Sequence, residues 1–124
     1  MKKLLIIEDE IELAKVLEEK FSDEDFEVKL AFDGESALPE AKKFHPDIIL
    51  LDILLPKKDG FIVIQEFKAD PNLKNIPVIF LSNLGEDEEI KKGLALGAVD
   101  YYVKVQHPIN EIVEKVKNYA LKGK

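Results

Sequence analysis

Four short apolar runs in this chain each lead directly into residues able to take part in phosphate or metal chemistry. Leu4 to Ile7 is followed by Glu8 and Asp9, Ile48 to Leu51 by Asp52, Val78 to Leu81 by Ser82, and Val99 to Val103 by Lys104. Oxygen ligands without histidine or cysteine suit a hard divalent cation, and a site that leaves places for water and phosphate oxygens suits Mg²⁺ better than Ca²⁺. With such an ion masking its charge, Asp52 is a candidate nucleophile toward a phosphoryl group. Ser82 and Lys104 would then hold the phosphoryl oxygens, one by a hydrogen bond and one by charge. Each residue alone has a plainer reading: Asp9 or Glu10 as a helix cap, Asp52 opening a turn, Ser82 as an N-cap, Lys104 in solvent. Gathered at one place, however, three carboxylates repel and cost stability unless a cation is present.

The elements that would gather them are legible in the hydrophobic pattern. A further run, Val28 to Ala31, makes five, each followed by a longer helical pattern, so the chain reads as five βα units. Leu4 to Ile7, Ile48 to Leu51 and Val78 to Leu81 are continuous rather than alternating, as in strands buried on both faces of a parallel sheet. In helix one, Leu13, Leu17 and Phe21, with Val16 beside them, form the expected inward stripe. Helix two starts near Asp33-Gly34 and runs to about Phe44, with a kink expected at Pro39. Helix three follows Asp59-Gly60 until Asp70-Pro71, helix four runs from the acids Glu86 to Glu89 as far as Gly97, and helix five follows Pro108. In such sheets ligands bind beyond the carboxyl ends of the strands, where the strand order reverses. The acids, Ser82 and Lys104 all fall there.

Composition narrows the functions. The 124 residues carry 18 basic side chains, all lysine and dispersed among 25 acids, for a net charge of −7. No basic stripe exists to neutralise a nucleic-acid backbone. No cysteine is present, which excludes thiol redox chemistry and thiolate metal sites. The opening Met1-Lys-Lys-Leu-Leu-Ile-Ile stops at Glu8-Asp9-Glu10, too soon for a signal peptide, and no run approaches the roughly 18 residues of a membrane span. A cytoplasmic location is expected, with neither membrane nor nucleic acid as a partner.

The sequence resembles the receiver domains of two-component response regulators over essentially its whole length. The resemblance is carried by Glu8-Asp9; by Asp47-Ile-Ile-Leu-Leu-Asp52-Ile-Leu-Leu-Pro56 with Asp59-Gly60; by Pro77-Val-Ile-Phe-Leu-Ser82; and by Gly97-Ala98-Val-Asp100-Tyr-Tyr102-Val-Lys104. It implies an α/β flavodoxin-like fold, a (βα)5 doubly wound five-stranded parallel sheet with strand order 2-1-3-4-5, and one receiver domain over 1–121 with a tail at 122–124. It implies that Asp52 is phosphorylated by a histidine kinase or histidine phosphotransfer protein. Asp9, Asp52 and the Leu54 carbonyl would bind Mg²⁺, with Glu8 acting mainly through water. Ser82 and Tyr102 would form the switch pair, and Lys104 would contact the phosphoryl group. Such a protein is a phosphoacceptor regulator rather than an enzyme, with only self-directed phosphotransfer and autodephosphorylation. Because the chain stops after helix five, no output domain of its own is expected, and the readout would be a downstream protein bound at helix four, strand five and helix five.

Several positions depart from the family pattern. Val105 stands where proline usually follows the lysine, so a trans bond and a reshaped loop are expected. Asn83 replaces a small residue after Ser82, Asp25 stands where glycine is common, and leucines occupy positions 54 and 84, which flank the phosphoryl group in similar proteins and where neither side chain can orient water. His45 and His107 read as ordinary surface residues. Ile11, Ala14 and Lys15 are the candidate partner-binding residues on helix one. A phosphatase of the haloacid dehalogenase type would carry a second aspartate at position 54, a flavodoxin-like cofactor carrier would not place Glu8-Asp9-Glu10 in its phosphate loop, and a pseudo-receiver docking module would not need Asp9, Asp52, Ser82 and Lys104 together.

Overall fold

In the computed structural model, which describes residues 1–121, the five apolar runs become strands and the five amphipathic patterns helices. The order is β1 (Lys2–Ile7), α1 (Ile11–Ser22), β2 (Phe26–Ala31), α2 (Gly34–Phe44), β3 (Ile48–Leu51), α3 (Gly60–Ala69), β4 (Val78–Ser82), α4 (Asp87–Ala95), β5 (Asp100–Val103) and α5 (Ile109–Leu121). The expected tail, 122–124, lies outside the described residues. All pairings are parallel, in the order β2-β1-β3-β4-β5, as the resemblance implied.

The continuous runs are continuous because both faces of the sheet are covered. Leu5, Ile7, Ile49, Leu51, Val78 and Phe80 pack toward α2, α3 and α4. Their neighbours Leu4, Ile6, Ile48, Leu50, Ile79 and Leu81 pack toward α1 and α5, since successive strand side chains point to opposite faces. Helices on both sides leave only the strand ends open to ligands.

One local expectation needs correction, and two departures from the sequence pattern find their place. In α1 the buried stripe is Ala14, Leu17 and Phe21, flanked by the half-buried Leu13, whereas Val16 is exposed. A three-then-four spacing from Ala14 keeps one helical face on the sheet, and Val16 falls off it. Pro39 is the sixth residue of α2, which runs to Phe44 as expected, with one backbone donor missing. Asp25, left without a role by the sequence, has φ 68° in the turn before β2, the left-handed region that explains why glycine is common there. The start of α2 is secured by Asp33, whose carboxylate accepts from Ser36 N–H at 2.8 Å.

Candidate functional site

β1 and β3 are neighbours in register, Ile7 opposite Leu51, so the residues that follow them emerge side by side. Asp52 N–H donates to Ile7 O at 2.9 Å, which fixes the end of β3 against β1. The chain leaves β1 toward β2 on one side and returns to β3 on the other, so Glu8, Asp9 and Asp52 stand at the reversal of strand order. One carboxylate oxygen from each of the three lies within 4.8 Å of the others. Glu8 and Asp52 are only 2% and 3% exposed, while Asp9 faces solvent. An all-oxygen, anionic donor set with one open side fits a hard divalent cation.

Lys104, at the end of β5, reaches across into this cluster. Its Nζ lies 2.9 Å from Glu8 Oε1, 2.9 Å from Asp52 Oδ2 and 3.5 Å from Glu10 Oε2. The other oxygen of Asp52 accepts from Ile53 N–H at 2.7 Å and the other oxygen of Glu8 from Glu10 N–H at 3.0 Å. One ammonium against three carboxylates leaves the rim net negative. Burial, reinforced by the charge of Asp52, pushes the Glu8 carboxyl up to about 7 despite its bonds to Lys104 and Glu10. Burial pulls the Lys104 ammonium down, but the hydrogen bonds to Glu8 and Asp52 outweigh it and hold the group above its ordinary value.

Ser82, fully buried at the end of β4, has its Oγ 3.4 Å from Leu84 N. Leu54 is exposed, whereas the Leu84 side chain packs against the core, so of these two leucines Leu54 alone projects to solvent. The described residues contain no cis peptide bond, so Lys104–Val105 is trans as expected; the reshaped loop is a short 3₁₀ turn, Lys104–Gln106. The sequence offered Glu10 only as a helix cap; its contact with Lys104 depends on the path of the chain after β1 rather than on any motif.

The two tyrosines of β5 point to opposite faces, and only Tyr101 is bonded to the loop that follows Ser82. Tyr102 packs in the α1 and α5 layer, donates to Asp100 Oδ2 at 2.6 Å and meets the His107 ring edge-on at 5.2 Å. Tyr101 lies on the other face against Phe80, and its hydroxyl donates to Leu84 O, in the loop that follows Ser82. Burial, with the charges of Glu89 and Asp52, pushes the Tyr101 phenol up to about 12. Strand alternation could have separated the two, because a residue must share the Phe80 face to reach that loop. His107 is likewise no ordinary surface residue: besides the Tyr102 ring it contacts Glu111 Oε2 at 2.9 Å, while His45 is exposed. Of the partner-binding candidates, Ile11 and Lys15 are exposed, but Ala14 is buried against the sheet and cannot join a docking face. Among the described residues no helix is long and apolar enough to cross a membrane.

Comparison with known proteins agrees with this geometry. The chain is 41% identical, over 97% of its length, to the probable transcriptional regulator ycf27 of Cyanophora paradoxa, and 37% identical over 90% to the response regulator PleD of Caulobacter vibrioides. It spans about half of the first relative, 52%, and 24% of the second. The receiver domain of the Francisella response regulator 1452 superposes with a TM-score of 0.90 at 29% identity, covering 100% of both chains. Chemotaxis protein CheY4 of Vibrio cholerae gives 0.88 at 26% identity, over 95% of this chain and 98% of that one. A sequence profile of the response regulator receiver domain matches residues 4–117, and with these relatives it shows that the chain belongs to the receiver-domain family of two-component response regulators.

Proposed function

We propose that the chain, with 1–121 as its receiver unit, is a phosphorylation-dependent switch whose phosphoacceptor is Asp52. The observation that carries this reading is the buried Asp52 carboxylate, which shares the Lys104 ammonium with Glu8 inside a rim that remains net negative. A carboxylate oxygen of Asp52 forms the bond to phosphorus as the phosphorus–nitrogen bond of a phosphohistidine donor breaks, and the departing imidazole takes up a proton. Asp9, Asp52 and the Leu54 carbonyl would hold Mg²⁺, with Glu8 acting through water; bound there, the ion offsets the negative charge of the donor and the acceptor. Lys104 would transfer its contact from Asp52 to a phosphoryl oxygen, and Ser82 would supply a hydroxyl to another.

The role expected of Tyr102 passes to Tyr101, whose hydroxyl is bonded to the loop that Ser82 begins. A shift of Ser82 toward a phosphoryl group would move that loop, and with it the surface of α4 and β5 offered to a downstream protein. The donor is a histidine kinase or histidine phosphotransfer protein, and Ile11 and Lys15 at the exposed start of α1 are its docking residues. Ile11→Lys should slow transfer from that partner while leaving phosphorylation by a small donor intact. The direct test is incubation with phosphoramidate and Mg²⁺ followed by intact mass measurement. The parent should gain one phosphoryl group and Asp52→Asn none; equal gain by both would refute the assignment.

A further inference from the structure

The loop between β3 and α3 contains a backbone conformation that the chain holds shut from outside. Lys58 N–H donates to Pro56 O at 2.9 Å, closing a three-residue turn, and Lys57 at its centre has φ 75°. A lysine there is disfavoured and persists only where the surroundings over-determine it. Those surroundings are the first residues of α2. Gly34 N–H donates to the same Pro56 O at 3.1 Å, and Lys57 Nζ lies 3.8 Å from Asp33 Oδ2 and 3.9 Å from Glu35 Oε1.

The approach is closer than any side chain permits. A Cβ on Gly34 would stand 2.0 Å from Lys58 O and 2.7 Å from the Lys58 carbonyl carbon. At the far end of the same loop, a Cβ on Gly60 would stand 2.3 Å from Asp52 O, and Gly60 N–H donates to Ile53 O at 2.8 Å. The segment from Asp52 to Asp59 is therefore gripped at both ends by glycines from different helices. Leu54 lies inside that grip, two residues before Pro56.

We infer that Gly34 is a positioning residue for the metal-binding loop. By letting α2 bear directly on Pro56 and Lys58, it fixes the strained turn and, through it, the backbone around Leu54. This rests on the proposed cation site, and the experiment separates the two. Mg²⁺ is titrated calorimetrically into the full chain and into three variants, with thermal unfolding recorded for each. Gly34→Ala should weaken Mg²⁺ binding at least three-fold, yet phosphorylation by acetyl phosphate should return toward the parent rate once Mg²⁺ saturates. Lys57→Ala, which removes the ion pairs without adding bulk, should weaken binding about two-fold. Gly93→Ala, whose added carbon would meet Phe80 at 2.9 Å, should lower the melting temperature and leave Mg²⁺ affinity unchanged. Parent-like affinity in a folded Gly34→Ala chain would overturn the inference, as would equal weakening in Gly93→Ala. If Gly34→Ala does not fold, Lys57→Ala decides, and parent-like affinity there overturns it. A parent chain that binds no Mg²⁺ would remove the cation site itself, and the inference with it.

Discussion

At the amino-end rim of the sheet, Asp23, Glu24, Asp25 and Asp47 border a cavity of 630 Å³; at the carboxyl-end rim, Glu8, Asp9 and Asp52 bring oxygens within 4.8 Å of one another. Both rims are acidic, and the first borders a sizeable hollow. Yet the amino-end acids are exposed and dealt with one at a time: Lys117 reaches Glu24 at 2.7 Å, and Asp47 accepts from Lys3 N–H at 2.8 Å. At the other rim, two carboxylates are almost wholly buried and share a single lysine. Burial makes charge costly, and a costly arrangement that persists points to function more strongly than a count of acids or the size of a hollow does.

The largest effect should follow from removing the shared cation. Lys104→Met would leave Glu8 and Asp52 buried and unpaired, destabilising the metal-free fold by about 3 kcal/mol at neutral pH. Urea unfolding with chelator present would measure it, and saturating Mg²⁺ should restore part of the loss. A loss no larger than that of a surface lysine variant would show that the rim is better hydrated than its burial indicates.

The second effect concerns pH. Glu8 titrates near 7 in the fold against an ordinary value of 4.5, so between those values the folded state binds more protons than the unfolded one, and stability falls as pH rises. The metal-free chain should lose up to about 3 kcal/mol across that window and then level off. Glu8→Gln should flatten the profile in urea unfolding from pH 4.5 to 8.

Smaller effects separate the two tyrosines. Tyr101→Phe leaves the Leu84 carbonyl without its partner and should cost about 1 kcal/mol. It should also speed amide exchange over residues 83–86, whereas Tyr102→Phe, whose hydroxyl meets Asp100, should leave exchange there unchanged. The smallest effect belongs to the amino-end rim, where Glu24→Gln should not move the unfolding midpoint, because exposed ion pairs contribute little.

The five units, their buried strands and the convergence of Glu8, Asp9, Asp52 and Lys104 were legible because continuous apolar runs dictate a covered parallel sheet, whose strand ends follow from where the runs stop. What escaped were features set by distance in sequence or by a single residue's rotation. Ala14 lies inside because small residues let α1 approach the sheet, a contact that its hydrophobicity hardly announces. Tyr101 and Tyr102 face opposite layers through one step of alternation along β5. The grip of Gly34 on Lys58 joins residues that no local motif links.

The central claim is that the buried carboxylate of Asp52 is the acceptor. It is tested most directly by phosphorylating the chain with acetyl phosphate and Mg²⁺, reducing the acyl phosphate with borohydride and sequencing the resulting peptides. The account predicts homoserine at position 52 alone, and none when Mg²⁺ is withheld. Homoserine at Asp9 or at an amino-end acid, or equal yield without Mg²⁺, would contradict it.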